Sequence, residues 1–169
     1  MPSPRAQVDH VDRMIEAWSA REPALDVQPL QVVGRLLRLA GLLERDIERE
    51  LAAFELSFGD FDVLNTLRRE AGPEGMHPTH LARTALITTG AMTTRLNRLE
   101  QRRLLIREAD GTDRRAVRVR LTALGRDRVG VALRAVLAAD RRFLAPLGKQ
   151  DRAAIAGLLR RWLLAVEPE

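Results

Sequence analysis

Apolar positions recur at intervals of three and four along most of this chain and change to alternation between residues 104 and 122. The first interval is that of a helix with one buried face; the second is that of a half-buried strand. In 8–20, VDHVDRMIEAWSA, Val8, Val11, Ile15 and Trp18 share the stripe of a short helix, which REPALDVQP breaks with two prolines. A long helix from Leu30 to Phe54 carries Val33, Leu36, Leu37, Ala40, Leu43, Ile47, Leu51 and Phe54 on one side. At about 1.5 Å per residue it is roughly 40 Å long, so part of its partner surface is expected in another subunit.

Ser57, three before Asp60, is a helix start with an acid in the first turn. That helix bears Phe61, Leu64 and Leu67 and stops at Gly72 and Pro73. Pro78 opens a short helix, PTHLARTA, and a brief connector leads into TTGAMTTRLNRLEQRR. LLIREAD and AVRVRLT then alternate as two strands around the turn GTDRR, with Val117, Val119 and Leu121 opposite Arg118 and Arg120. Thr122 caps a helix to about Leu144; Asp151 starts the last, with Ile155, Leu158, Leu159, Trp162 and Val166 in register. A short helix, a tight turn, a second helix and a hairpin make a winged helix-turn-helix.

The fold class is therefore mainly α, a winged helix-turn-helix with helices from both termini forming a dimerisation module. The boundaries read as 1–56 for the N-terminal extension and dimerisation helix, 57–121 for the winged domain and 122–169 for the C-terminal dimerisation helices.

Composition narrows the chemistry. At 169 residues and 46% apolar the chain suits one globular domain with helical extensions. No apolar run reaches the roughly 20 residues of a membrane span, and MPSPRAQVDHVDR is not of signal-peptide type, so the cytoplasm is the expected location, on the nucleoid when DNA is bound. Cysteine is absent, which removes disulfides, thiol nucleophiles and cysteine–zinc sites. No Ser–His–Asp order, paired carboxylates or phosphate-cradling glycine loop points to an enzyme. No metal and no cofactor is expected. The net charge is only +5, yet Lys149 is the single lysine among 28 basic residues. Arginine has the planar fork that matches phosphate and the guanine edge, although a GC-rich genome explains most such excesses.

Where the arginines stand matters more. At 100° per residue, Met92, Leu96 and Leu99 define the buried side of the second helix, and Gly90, Thr94, Asn97, Arg98 and Gln101 face outward. Hydroxyl, amide and guanidinium groups there suit base edges and phosphates in a major groove, and Thr89, Gly90 and Thr93 crowd the helix N-terminus, which favours a phosphate. The hairpin concentrates Arg114, Arg115, Arg118 and Arg120, with Asp113 as a brace, and an arginine at such a tip suits a narrow minor groove. The expected DNA-binding residues are Thr89, Gly90, Thr93, Thr94, Asn97, Arg98, Arg114 and Arg115. Arg95 lies about 60° to one side of the buried stripe, toward the body of the protein, so it and Arg98 are expected to address different partners.

Residues 61–126, and within them GAMTTRLNRLE, DRR at 113–115 and LTALG at 121–125, resemble the MarR family of bacterial transcription regulators. The resemblance implies a homodimer whose recognition helices enter successive major grooves of a pseudo-palindromic operator, and repression relieved by a small molecule. Half-sites would lie about 34–36 Å apart. One departure concerns the first short helix, where a Ser or Thr cap with an acid three residues on is common; His77 and His80 stand there instead. With no cysteine and no obvious carboxylate partner, a neutral cap is favoured over a shared metal.

The additional N-terminal helix is similar to that of the urate-responsive subgroup. By motif, the resemblance implies a ligand site of Trp18 in EAWSA, Asp62 in GDFDVL and Arg95 in MTTRL, with Arg107 in LIREAD as a fourth member. An aromatic to stack a planar heterocycle, a guanidinium for its anionic edge and a carboxylate for its ring N–H groups is coherent chemistry. The implied partners are operator DNA, a second copy and a urate- or xanthine-like or phenolic effector, with no membrane. A DNA-binding regulator or architectural protein without a ligand is the alternative. Trp18 as an anchor of the extra helix, and Asp62 as a solvated residue or a purely structural partner of Arg95, are the competing readings of those side chains.

Overall fold

The computed structural model describes residues 8–85, 92–111 and 116–167. Its elements are α1 (His10–Arg21), α2 (Leu30–Ala52), α3 (Phe58–Glu70), α4 (Pro78–Thr84), α5 (Met92–Gln101), β1 (Leu105–Ala109), β2 (Val117–Leu121), α6 (Ala123–Phe143) and α7 (Lys149–Val166). The architecture is mainly helical with one small antiparallel sheet, and α4, α5 and the β1–β2 hairpin form the winged helix-turn-helix that the apolar spacing predicts. Two compact units divide between Arg45 and Asp46.

In the first unit α1 opens with a capping box. The Asp9 carboxylate accepts from the Val11 and Asp12 amides at 2.7 and 2.9 Å, and Asp12 accepts from the Asp9 amide. Arg35 of α2 bridges both acids, donating to Asp9 at 2.8 Å and to Asp12 at 2.5 Å. Val11, the buried residue of α1, packs on the Cα of Gly34.

The second unit has its core on α3. Phe61, Val63, Leu64 and Leu67 are buried there with Leu81 of α4, Leu96 and Leu99 of α5, Leu104, Leu105 and Val119 around the hairpin, and Val129 and Ala132 of α6. Leu105 pairs with Leu121 and Ala109 with Val117, a register that keeps Val119 and Leu121 inward. A further bridge joins Met76 to Val119 through two hydrogen bonds of 2.9 and 2.8 Å, so the middle of β2 is fixed to the residue preceding His77. At the root of the hairpin, Thr122 caps α6 by accepting from the Gly125 amide at 2.9 Å and donates to the Arg103 carbonyl at 2.7 Å. The first turn of α6 lies so close to the chain that a Cβ on Gly125 would stand 1.8 Å from the Leu104 carbonyl oxygen.

α7 buries none of its residues in the single chain. Ile155, Leu158, Leu159, Trp162 and Leu163 are all exposed.

Candidate functional site

α5 projects from the α3 core by Leu96 and Leu99, which are buried, and this fixes the direction of every other side chain on it. Thr93, Thr94 and Asn97 are exposed. Of the remaining expected DNA contacts, Thr89, Gly90, Arg114 and Arg115 lie outside the described residues, as does Asp113.

Arg95 and Arg98 do not part company as the helical angles imply. Both reach the first turn of α3, at successive residues. The Arg95 guanidinium lies over Gly59, where a Cβ would meet its Nη1 at 2.2 Å and its Cζ at 2.3 Å. Arg98 forms an ion pair with Asp60 through Nη2, and the same nitrogen lies 3.5 Å from the Ser57 hydroxyl. Arg98 is exposed, as its place on the outward face predicts, but its guanidinium reaches back to α3. Its Cα sits on the exposed side, but Asp60 is a buried carboxylate, and an uncompensated buried charge is costly enough to draw a long side chain to it. Asp60 does double duty, because it also completes the capping box of α3 with Ser57.

Asp62 is buried on α3 and has an interaction partner of its own, so it is not the solvated residue of one competing reading. On the helix it falls about 60° from Gly59 on the side away from Asp60. Arg107 is not with this group. Its Nη1 donates to the Asn97 side chain at 2.7 Å and to Glu100 at 2.9 Å, and Glu100 also accepts from the Arg107 amide. Asn97 and Glu100 lie on the flank of α5 away from Arg95, where Arg107 of β1 reaches them. The structure thus does not bring Arg107, the expected fourth ligand contact, together with Arg95. Trp18 belongs to the first unit, where it lines a cavity of about 390 Å³ with Met14, Ala17 and Arg21.

The hairpin arginines divide by partner. Arg118 Nε donates to buried Asp110 at 2.5 Å, and Arg120 pairs with Glu108 across the strands at 2.6 Å, which raises the already high pKa of its guanidinium. These two brace the wing. His77 is the N-cap residue of α4 but makes no capping hydrogen bond with its side chain. Its Nε2 lies instead 3.2 Å from the same Asp110 oxygen. The expectation that the His77 side chain caps the helix is thus corrected: the Met76–Val119 bridge brings a carboxylate distant in sequence to the imidazole. Among the described residues no group of three or more His, Cys, Asp or Glu is placed to hold a metal ion, and no helix is long and apolar enough to cross a membrane. Sequence reasoning missed Gly59, Asp60 and Asp110 as parts of this surface. Only Asp60 carried a signal, as the acid of a capping box.

Residues 54–116 match the MarR family model. The chain is 31% identical over 151 residues to the HTH-type transcriptional regulator PecS of Dickeya dadantii, covering 89% of this chain and 91% of that protein. Among solved structures, Bordetella bronchiseptica BpsR, described for regulation of its DNA binding by 6-hydroxynicotinic acid, superposes with a TM-score of 0.71 at 25% identity, over 82% of this chain and 96% of that one. The Mycobacterium tuberculosis MarR family protein Rv2887 in complex with p-aminosalicylic acid gives 0.60 at 30% identity, over 77% and 97%. With a winged helix-turn-helix, a family match over most of it and a relative aligned over nearly its whole length, the chain belongs to the MarR family of transcriptional regulators.

Proposed function

We propose that this protein is a homodimeric repressor that reads a pseudo-palindromic operator and is released from it by a small planar anion. The observation that carries the DNA-binding part is the exposed polar row Thr93, Thr94 and Asn97 on α5, opposite Leu96 and Leu99. Those side chains, with Thr89, Gly90 and Arg98, contact the major groove in this reading, and Arg114 and Arg115 the minor groove. The dimer is supported by α7, whose apolar stripe of Ile155, Leu158, Leu159 and Trp162 finds no cover in the single chain. The ligand residues of this reading are Trp18, Asp62 and Arg95, with Arg107, which also pairs with Glu100 and Asn97, as a fourth member. That BpsR responds to 6-hydroxynicotinic acid and Rv2887 is found with p-aminosalicylic acid supports a planar anion as the ligand class. No catalytic step is part of this reading, and the protein acts in the cytoplasm.

The packing of Arg95 on Gly59 favours one second reading, in which Arg95 is structural and the protein regulates without an effector. A single set of measurements decides. The purified chain is used to select duplexes from a random pool, its mass is measured in solution, and the selected complex is titrated with urate, salicylate and 6-hydroxynicotinate. A palindromic selected site, a dimer mass and release by at least one anion are expected. No selected sequence, or a monomer that binds it, overturns the main reading; release by none of the anions leaves the second.

A further inference from the structure

The ion pair between α5 and α3 deepens the reading of α5 as the DNA-reading helix, on which it rests. Arg98 is half-exposed, 47% by side chain, whereas Asp60 is 3% exposed. The exposed member of the pair stands one helical turn after Thr94 and one before Gln101, at the edge of the outward face. Both of its contacts, to Asp60 and to the Ser57 hydroxyl, are made by Nη2; among the described residues Nε and Nη1 have no partner. Nη2 carries two hydrogens, one facing Nε and one facing Nη1. Asp60 takes one of them in the close ion pair; Ser57, at 3.5 Å from the same nitrogen, is a marginal contact that a base displaces, so the edge of the guanidinium away from Asp60 offers a two-hydrogen fork. Such a fork matches the O6 and N7 acceptors of guanine in a major groove.

We propose that Asp60 is a specificity-determining positioning residue: it grips Arg98 from the protein side so that the free edge of the guanidinium is presented, already oriented, to a guanine of the operator half-site. A free arginine must lose its rotamer freedom when it meets a base, and it settles equally well on a phosphate. A gripped one is held for the base edge. Asp60 is suited to the grip because it is itself immobile, buried in the first turn of α3 and tied into a capping box with Ser57. It never touches DNA. Its contribution is to discrimination at one base pair, with little effect on non-specific binding.

The test uses the full chain and the duplex it selects from a random pool, together with every single base-pair change of that duplex and a poly(dI-dC) competitor. Asp60→Asn keeps the shape and the capping acceptor, and its thermal midpoint reports that the fold is intact. The expected result is a loss of about tenfold or more in discrimination at one G·C pair, with binding to poly(dI-dC) changed by less than about threefold. Arg98→Lys, which keeps the charge and loses the fork, should abolish discrimination at the same pair, and Asp60→Asn should then have no further effect on it. Three results overturn the proposal. Asp60→Asn leaves discrimination unchanged, which makes Asp60 a helix cap only. Alternatively, Asp60→Asn tightens binding to all duplexes, which makes Asp60 a competitor for Arg98. Or Arg98→Lys reads every pair like the parent. All three leave the DNA-binding reading intact, whereas failure of the parent to select any sequence sinks that reading itself.

Discussion

Arg95 of α5 and Gly59 of α3 are in direct contact, with the guanidinium where any β-carbon on residue 59 would have to be. The side chain obstructed is long and flexible, so Gly59→Ala should expel Arg95 without breaking the core. Alanine is also the better helix former by about 1 kcal/mol. The variant should therefore keep or slightly raise its thermal midpoint. If Arg95 holds an anionic effector, the concentration of planar anion needed to release DNA should change several-fold. Unaltered release by every anion that acts on the parent would take Arg95 out of the ligand site.

Gly125 shows the opposite case. Its absent β-carbon would lie 1.8 Å from the Leu104 carbonyl oxygen and 2.8 Å from its carbon, and backbone at a strand start cannot swing away. Gly125→Ala should cost on the order of 3 kcal/mol, the range of severe overpacking, and lower the urea midpoint accordingly. A midpoint equal to the parent's would mean that α6 does not cross the hairpin as closely as the structure has it.

These two glycines also mark what a sequence can tell. The apolar spacing carries the helices, because which residues are buried within one element is a local matter. It placed the α5 stripe of Leu96 and Leu99, the caps at Ser57 and Thr122, and the alternation that sets Val119 inward. Partners across elements are not local. Asp60 lies 38 residues from Arg98, and Asp110 lies 33 from His77. Asp60 reads only as a capping acid and Asp110 as an ordinary polar position, until tertiary packing buries them and forces them to find a charge. Helical angles gave Arg95 and Arg98 different directions, correctly for their Cα atoms. Side chains of that length answer to the nearest buried acid instead, and here that acid and its glycine neighbour are adjacent. Nothing in the pattern around Gly59 marks it as the seat of an arginine.

Asp110 holds the wing to α4 through Arg118 and His77 on a single carboxylate oxygen. Removing it leaves Arg118 without its acid and unties the wing from His77. Asp110→Ala should destabilise by about 2–4 kcal/mol, the lower end because Arg118 is partly exposed. It should also weaken binding of all duplexes alike, since the hairpin arginines are displaced together rather than one base contact being lost. Urea unfolding and polarisation titrations at several salt concentrations measure both. A variant that loses stability but binds every duplex like the parent would show that the wing does not need this tie to engage DNA.

Thr66 is fully buried on α3, and among the described residues its hydroxyl has no hydrogen-bond partner. A hydroxyl in that position carries its desolvation cost with nothing in return. Thr66→Val replaces it with a methyl of nearly the same shape, so stability should be unchanged or raised by up to about 1 kcal/mol. The urea midpoint is again the readout, and a clear loss of stability would reveal a partner for the hydroxyl in solution.

The cap of α1 sets a pH dependence. The Asp12 amide, by its hydrogen bond to the Asp9 carboxylate, is the largest influence holding Asp9 below its ordinary value of 3.8; burial opposes it, and the Val11 amide and Arg35 add to the lowering. A carboxyl whose folded-state value is depressed contributes stability in full above the unfolded value and loses it as pH falls through the folded one. The contribution of this cap to α1 should therefore be constant above about pH 5 and fade below 3.8. In the full chain, the amide resonances of Val11 and Asp12 should titrate together in that acid range, with an apparent midpoint below 3.8. Asp9→Asn should abolish that titration while keeping a capping acceptor. A midpoint at or above the ordinary carboxylate value would mean that the capping box and its Arg35 bridge do not persist in solution.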